Sequence, residues 1–187
     1  MTKSTARLLP MLIMLLSFGC GGGGGSAANT SGTPAANTPA TPAKVVISFS
    51  LISTAKLPFR LNGVQISATL PAGLTVTASG STIASGLEAG SVASSAVNTN
   101  FPVFGRYSAP NRVTLVIADS SNAQTGFGPG EMARLTCSLA AGIAISESDR
   151  LTLENAITFK ASGWDPTAAT NPVSLNRFLK PRIVIIM

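Results

Sequence analysis

The amino-acid sequence predicts an all-β fold, an antiparallel β-sandwich of residues 44–187 that follows a targeting segment and a linker. Three observations indicate this fold. Apolar and polar residues alternate in several short segments, β-branched residues are frequent in those segments, and glycine, proline, asparagine or serine separates each segment from the next. About 144 residues are enough for one hydrophobic core, which buries roughly two-thirds of the unfolded chain's surface.

The first two predicted strands lie in KVVISFSL and VQISATL. Alternate residues of each segment form one apolar face, namely Val45, Ile47, Phe49 and Leu51 in the first and Val64, Ile66, Ala68 and Leu70 in the second. Pro71 and Gly73 then predict a turn that leads the chain into LTVTA.

The later segments predict four more strands. RVTLVIAD alternates in the same way, EMARLTCSL follows a turn predicted by GFGPG, and LTLENAITFKA and RIVIIM come after it. Because RIVIIM is apolar on both faces, we expect it inside a sheet and not at an exposed edge, where it would promote aggregation. Helix is expected to be scarce, with a single turn between Pro172 and Leu179.

Residues 1–19 have the pattern of a signal peptide. Lys3 and Arg7 precede the apolar run LLPMLIMLLSF, which is shorter than the roughly 20 residues that a membrane-spanning helix needs. At Gly19 and Cys20 the sequence resembles bacterial lipoprotein precursors, in which a peptidase cuts before a cysteine and the thiol is acylated. The resemblance implies export and attachment to the cell envelope through a lipid on Cys20, with the outer membrane as the expected location.

The alternative for this segment is ordinary secretion, with cleavage after Ala28 and a soluble product. Residues 20–43 carry no charge and consist almost entirely of Gly, Ala, Ser, Thr, Asn and Pro. Such a composition cannot bury enough apolar surface to order itself, so it predicts a flexible linker between the lipidated cysteine and the sandwich.

Composition excludes several function classes. Five of the 13 basic residues lie near the two ends of the chain, and the remaining eight are balanced by seven acidic residues. We therefore expect no nucleic-acid partner, which would require a basic face with interleaved aromatic residues. The chain has no histidine, so it cannot hold a Ser-His-Asp triad, a Cys-His pair or a histidine-ligated metal.

The remaining candidates for chemistry are weak. Ser53 and Lys56 match an S-x-x-K motif, but the partner motifs that this chemistry needs are missing. Glu147 and Asp149 are the two carboxylates closest to each other in the sequence, in a segment interpreted as a polar loop. Cys137 is predicted on the apolar face of a strand, as a small core residue rather than a nucleophile. We expect no enzymatic activity and no cofactor.

Two further pairs are candidates for ligand binding. Tyr107, in FGRYSAP, and Trp164, in SGWDP, are possible carbohydrate contacts because exposed planar aromatic rings stack on sugars. Asp119 and Asn122 offer oxygen ligands for calcium but lack the charge of a dedicated site, and a β-turn is the better interpretation of their segment. We therefore expect no metal.

Two segments resemble cohesin-type modules. NGVQISATLPAGLTV is similar to an early strand pair of that family, and GFGPGEMARLTCSLAAG to a later strand, with Gly128, Gly130, Ala133 and Leu135 in register. Together with NAITFKASGWDP the resemblance covers most of residues 44–170. It implies the jelly-roll sandwich shared by cohesins and some cellulose-binding modules, and a role in non-catalytic binding.

The expected function is therefore that of a non-catalytic lipoprotein of the cell envelope whose sandwich mediates protein binding or assembly at the cell surface. The alternative is a polysaccharide-binding module.

Overall fold

The computed structural model describes residues 42–94, 101–118, 126–168 and 171–187. These residues form two antiparallel sheets that face each other across one core, which confirms the all-β sandwich. Jelly-roll connectivity stays a prediction. The signal peptide, Cys20, nearly all of the linker, Asp119 and Asn122 lie outside the described residues.

The described residues form twelve strands. In chain order they are β1 (Ala43–Ser53), β2 (Leu61–Thr69), β3 (Leu74–Thr75), β4 (Ala78–Ser79), β5 (Thr82–Ile83), β6 (Leu87–Ala89), β7 (Val103–Ser108), β8 (Arg112–Ala118), β9 (Gly130–Leu139), β10 (Thr158–Gly163), β11 (Val173–Ser174) and β12 (Leu179–Ile186). The five-stranded sheet has the order β12-β1-β9-β3, with β6 also paired to β9. The seven-stranded sheet has the order β11-β10-β2-β8-β7-β5-β4.

The core lies between the sheets and is built from alternate residues of the long strands. Residues that the sequence placed on apolar faces, such as Phe49, Ile66 and Leu115, are fully buried. Phe101 and Phe127 add an edge-to-face ring contact, with centroids 5.0 Å apart. Alternation along each strand therefore leaves the opposite faces of both sheets available to solvent.

The structure corrects the prediction of a strand in LTLENAITFKA and of a loop at Glu147. Residues Glu147–Ala156 form helix α2, after a single helical turn, α1, at Ser91–Ser94, and strand β10 starts only at Thr158. The cause is a capping box before the apolar residues: the Ser146 hydroxyl accepts from the Asp149 N–H, and the Asp149 carboxylate accepts from the Ser146 N–H. The short turn expected between Pro172 and Leu179 is a 3-10 helix at Asn176–Phe178.

The prediction that RIVIIM lies inside a sheet is wrong. Strand β12 pairs with β1 alone and forms an edge of the five-stranded sheet. Ile183 is buried, whereas Val184 and Ile186 point outwards and are 40% and 52% exposed. An edge position tolerates this strand because Pro181, which has no N–H, is acceptable there and because α2 packs against the strand.

Candidate functional site

The outer face of the seven-stranded sheet contains two depressions that share Gln65 and Lys160. The larger has a volume of about 440 Å³ and includes Gly63, Val116 and Ser162 in its lining. The smaller has a volume of about 210 Å³. Because the two depressions share residues, we treat them as one surface feature, the groove, whose further lining includes Ser67, Arg112, Ala118, Thr158, Pro172, Ser174 and Asn176.

The strand alternation explains why polar side chains line the groove. On β2 the residues Val64, Ile66 and Ala68 are buried in the sandwich, so Gln65 and Ser67 between them point to the outer face. The same alternation on the neighbouring strands turns their polar residues to this side. The groove is thus a product of the hydrophobic pattern that builds the core.

Strand register arranges these side chains in rows across the sheet. One row runs from Lys160 through Gln65 and Val116 to Phe104, over three strand spacings or ~14 Å. The next row contains Thr158, Ser67, Thr114 and Arg106, in that order. The first row therefore offers successive contacts to a ligand that lies across the strands, whereas in the second row Ser67 is buried and its hydroxyl bonds to that of Thr114 at 3.0 Å.

The floor of the groove is low at Gly63 because this residue has no side chain. A Cβ at this position would lie 3.0 Å from Ser162 Oγ. The Ser162 hydroxyl is itself oriented by Asn62 Oδ1, to which it donates at 2.9 Å. At the neighbouring position the Asn176 side chain accepts a 2.7 Å hydrogen bond from the Ala161 N–H, which fixes this end of the groove.

Trp164 follows β10 directly, two residues after the groove residue Ser162, and is 40% exposed. Its loop is tied to Asn171: the Asp165 N–H donates to Asn171 Oδ1 at 2.9 Å, and Asn171 Nδ2 donates to the Asp165 carbonyl at 2.8 Å. Since Pro172 lines the groove, these bonds connect the Trp164 loop to the groove's end. The side chain and N–H of Thr167 donate to the Asp165 carboxylate and lower its pKa.

Tyr107 lies elsewhere. It is on β7 opposite the buried Val113, faces the interior side of the sheet, and donates to Asn111 Oδ1 at 3.1 Å. Strand register separates it from Trp164 by three strands, ~14 Å, and by about seven residues along them, ~23 Å. The two aromatic candidates are therefore not brought together on one surface.

Phe104 was not predicted from the sequence as a site residue; it is 61% exposed on the outer face and ends the row that contains Gln65. The signal was present, because Phe104 and Arg106 alternate with the interior positions of β7. Gly105 concealed it by breaking the apolar pattern at an interior position. A Cβ on Gly105 would lie 2.6 Å from both Ile83 Cδ1 and Leu87 Cδ2, so glycine is required there by close packing.

The residues considered for catalysis are hydrogen-bonded to neighbouring side chains, buried, or placed on a strand. Arg150 donates to the Glu147 carboxylate and lowers its pKa, and the Ser146 hydroxyl does the same for Asp149. Burial raises the pKa of the Cys137 thiol to about 11, which opposes formation of a thiolate. Ser53 ends strand β1, so the S-x-x-K segment is not at a helix start.

Among the residues that the structure describes there is no group of three or more acidic or cysteine side chains arranged to hold a metal ion. Asp119 and Asn122 lie outside that part of the chain. None of the described helices is long and apolar enough to span a membrane.

Comparison of the chain with protein-family models, curated proteins and solved structures found no significant match.

Proposed function

We propose that the chain is a non-catalytic lipoprotein of the bacterial cell envelope whose sandwich binds a polysaccharide in the groove. One observation carries this proposal: a groove lined by both polar and apolar residues lies on the outer face of the seven-stranded sheet, and the exposed Trp164 follows strand β10, which lines it. Of the two ligand classes that the sequence left open, this geometry favours the polysaccharide over a protein partner.

The chemistry of the groove suits a sugar chain. Gln65, Ser162 and Ser174 supply amide and hydroxyl groups that donate and accept hydrogen bonds, as sugar hydroxyls require. Outside the groove lining, the exposed rings of Trp164, which follows β10, and Phe104, on β7, offer apolar faces on which a pyranose ring packs.

The proposed location follows from the N-terminal segment. Acylation of Cys20 fastens the protein to a membrane, and the uncharged linker of residues 21–43 lets the sandwich reach ligands away from the membrane surface. Metabolic labelling with an alkyne fatty acid tests this step, with the Cys20→Ser variant as control. Label in the wild type that is absent from the variant supports the anchor, and an unlabelled wild type with an N-terminus after residue 28 overturns it.

Binding is tested on the full chain in mild detergent, with a panel of soluble polysaccharides and calorimetric titration. We expect saturable binding to at least one polysaccharide and a roughly tenfold loss of affinity in Trp164→Ala. The matched control is Ile52→Ala, since Ile52 is also 40% exposed but lies on β1 in the other sheet. If the Trp164 variant and the wild type bind with equal affinity, Trp164 is not part of the site. If the wild type binds none of the polysaccharides, the proposal is wrong.

A protein partner is the second candidate, favoured by the exposed apolar side chains of Val184 and Ile186 on edge strand β12. Such exposed apolar side chains can pack against an apolar surface of another protein. The substitution Ile186→Asp is expected to abolish that interaction and to leave polysaccharide binding unchanged. A partner retained by Ile186→Asp but lost in Trp164→Ala would place protein binding at the groove instead.

A further inference from the structure

We infer that the groove binds an anionic polysaccharide, a linear sugar chain that carries carboxylate groups. The inference rests on the proposed function, because it names the chemical class of the ligand for the same groove. Its basis is the charge on the outer face of the seven-stranded sheet.

Three cationic side chains point outwards on this face. Lys160 contributes to both depressions, and Arg112 lines the smaller one two strands away, ~10 Å across the sheet. Arg106 stands on the next strand, opposite Thr114. All three side chains are exposed to solvent. A ligand that lies in the groove therefore meets Lys160 and Arg112 in its lining, and Arg106 stands on strand β7 beside it.

Within the described ranges none of these cations has an acidic partner. The ion pairs found there involve Arg134 with Glu131 and Arg150 with Glu147 and Glu154, on β9 and α2. The strands β2, β7, β8 and β10 contain no acidic residue. Among the described residues, Asp165 is the carboxylate nearest to Lys160 along the chain, and it already accepts hydrogen bonds from Thr167. The charge of the groove is thus available to a ligand.

The outer face of the five-stranded sheet can be compared with the groove face for its exposed charges. The five-stranded sheet also carries exposed cations on its outer face, at Lys44, Lys180 and Arg182. That face, however, contains the carboxylates Glu88 and Glu131. The strands of the seven-stranded sheet therefore carry exposed cations but no carboxylates, and a depression lies on the same face. Both faces carry cations, so the ligand site is identified by where the positive charge lies and not by how much of it there is.

The side chains between the cations favour a sugar polymer over other polyanions. Gln65, Ser67 and Thr114 lie between Lys160 and the arginines. The hydroxyls of Ser67 and Thr114 hydrogen-bond to each other at 3.0 Å, and the exposed amide of Gln65 matches a ligand that is rich in hydroxyl groups. A site for single-stranded nucleic acid would place a series of aromatic rings along the groove, whereas Phe104 is the one ring in these two rows.

The test compares two forms of one polymer, polygalacturonate and its fully methyl-esterified derivative, which share a backbone and differ in charge. Alginate and hyaluronan extend the acidic set. With the full chain in mild detergent we expect binding to an acidic polymer, at least tenfold weaker binding to its ester, and a loss of affinity as salt rises from about 50 to 300 mM. The triple variant Lys160→Gln, Arg106→Gln, Arg112→Gln is expected to lose at least tenfold in affinity.

The charge-matched control is Lys44→Gln, Lys180→Gln, Arg182→Gln, which changes the net charge equally on the opposite face and is expected to bind within about twofold of wild type. The melting temperatures of both triple variants show whether they are folded. If the triple variant on the groove face does not fold, the single variant Lys160→Gln takes its place. Equal loss in both triples would overturn the inference, since total charge would then be responsible.

The remaining outcomes separate the inference from the proposed function. Equal binding of polygalacturonate and its ester, or binding of neutral polysaccharides only, overturns the anionic class and leaves polysaccharide binding intact. Binding of polyglutamate or a thymidine oligonucleotide as tightly as the acidic polysaccharide overturns it in favour of another polyanion. Absence of binding to every acidic and neutral polysaccharide removes the proposed function, and the inference with it.

Discussion

The guanidinium of Arg134 donates two hydrogen bonds to the carboxylate of Glu131, from Nε to Oε1 and from Nη2 to Oε2, each at 2.9 Å. Ser48 Oγ donates to the same carboxylate from β1 at 2.6 Å, and the Ser91 N–H from the first turn of α1 at 3.2 Å. Glu131 thus connects β9, β1 and α1. The Arg134 hydrogen bonds, followed by those from Ser48 and Ser91, lower the pKa of Glu131 to about 2 against the opposing effect of burial.

We expect Glu131→Gln to lower the free energy of unfolding by about 1–3 kcal/mol at pH 7, because the charged acceptor of four hydrogen bonds is lost. A carboxyl with a lowered pKa stabilises the fold fully above its unfolded value, 4.5, and progressively less as pH falls towards 2. The difference between the wild type and the variant should therefore be largest above pH 4.5 and shrink below it. Denaturant unfolding at several pH values measures both quantities.

The control for this prediction is Glu147→Gln. Glu147 also pairs with an arginine three residues away, but its side chain is 68% exposed, so the pair is screened by water. We expect little change in stability for this variant at any pH. A stability difference for Glu131→Gln that stays constant from pH 7 to pH 2 would show that the charge of Glu131 is not responsible.

Gly90 is predicted to tolerate no side chain. It lies between β6 and α1 and donates its N–H to the Met132 carbonyl at 2.8 Å. A Cβ on Gly90 would overlap the Glu131 carbonyl and lie 2.6 Å from the Met132 carbonyl carbon, and backbone atoms cannot move aside as a side chain does. Gly90→Ala should therefore destabilise the fold by about 1–3 kcal/mol.

Gly128→Ala serves as the matched control, because nothing lies within 4 Å of a Cβ at that position. We expect this variant to unfold within about 0.5 kcal/mol of the wild type. Thermal unfolding of the two variants under one set of conditions makes the comparison. Equal melting temperatures would contradict the packing of β6 against β9 at Gly90.

The long strands were predictable because their hydrophobic pattern is local. In β1 and β8, alternate residues such as Phe49 and Leu115 are buried, and this period of two is visible without any tertiary information. The helix at 147–156 was not predicted, because Leu151 and Leu153 also alternate although they belong to α2. There the capping box at Ser146, a helix-start signal, outweighs the short alternating pattern.

The site was less predictable than the fold, because it depends on which strands become neighbours. Lys160 and Gln65 lie almost a hundred positions apart and meet only through the pairing of β10 with β2. Trp164 was identified from its residue type alone. Phe104 and the groove were not identified, since their arrangement follows from strand order and register, which a single sequence does not specify.

The start of α2 gives a prediction at Ser146. Its hydroxyl accepts from the Asp149 N–H at 3.1 Å and so satisfies a helix N–H that has no partner within the helix. We expect Ser146→Ala to lower the free energy of unfolding by about 1 kcal/mol. Ser148→Ala, inside the same first turn but not at the cap, should change it by less than about half as much. Equal effects in denaturant unfolding would show that the cap is not responsible.

Cys137 should react slowly with alkylating reagents in the native state. Its side chain is buried within the core, and burial raises its pKa to about 11, so little thiolate is present at pH 8. We expect iodoacetamide to modify Cys137 only after unfolding in denaturant, with peptide mapping to distinguish it from Cys20. Modification at equal rates in native and unfolded protein would contradict the burial of this strand.

The groove itself can be filled at Gly63. Valine at this position suits a strand, and its Cβ would contact only Ser162 Oγ, a hydroxyl that can rotate away. We therefore expect Gly63→Val to unfold within about 0.5 kcal/mol of the wild type but to bind a polysaccharide recognised by the wild type roughly tenfold more weakly. Ala43→Val adds two methyl groups at an exposed position of β1 and should leave affinity unchanged. If Gly63→Val folds normally and binds as tightly as the wild type, the ligand does not occupy the groove.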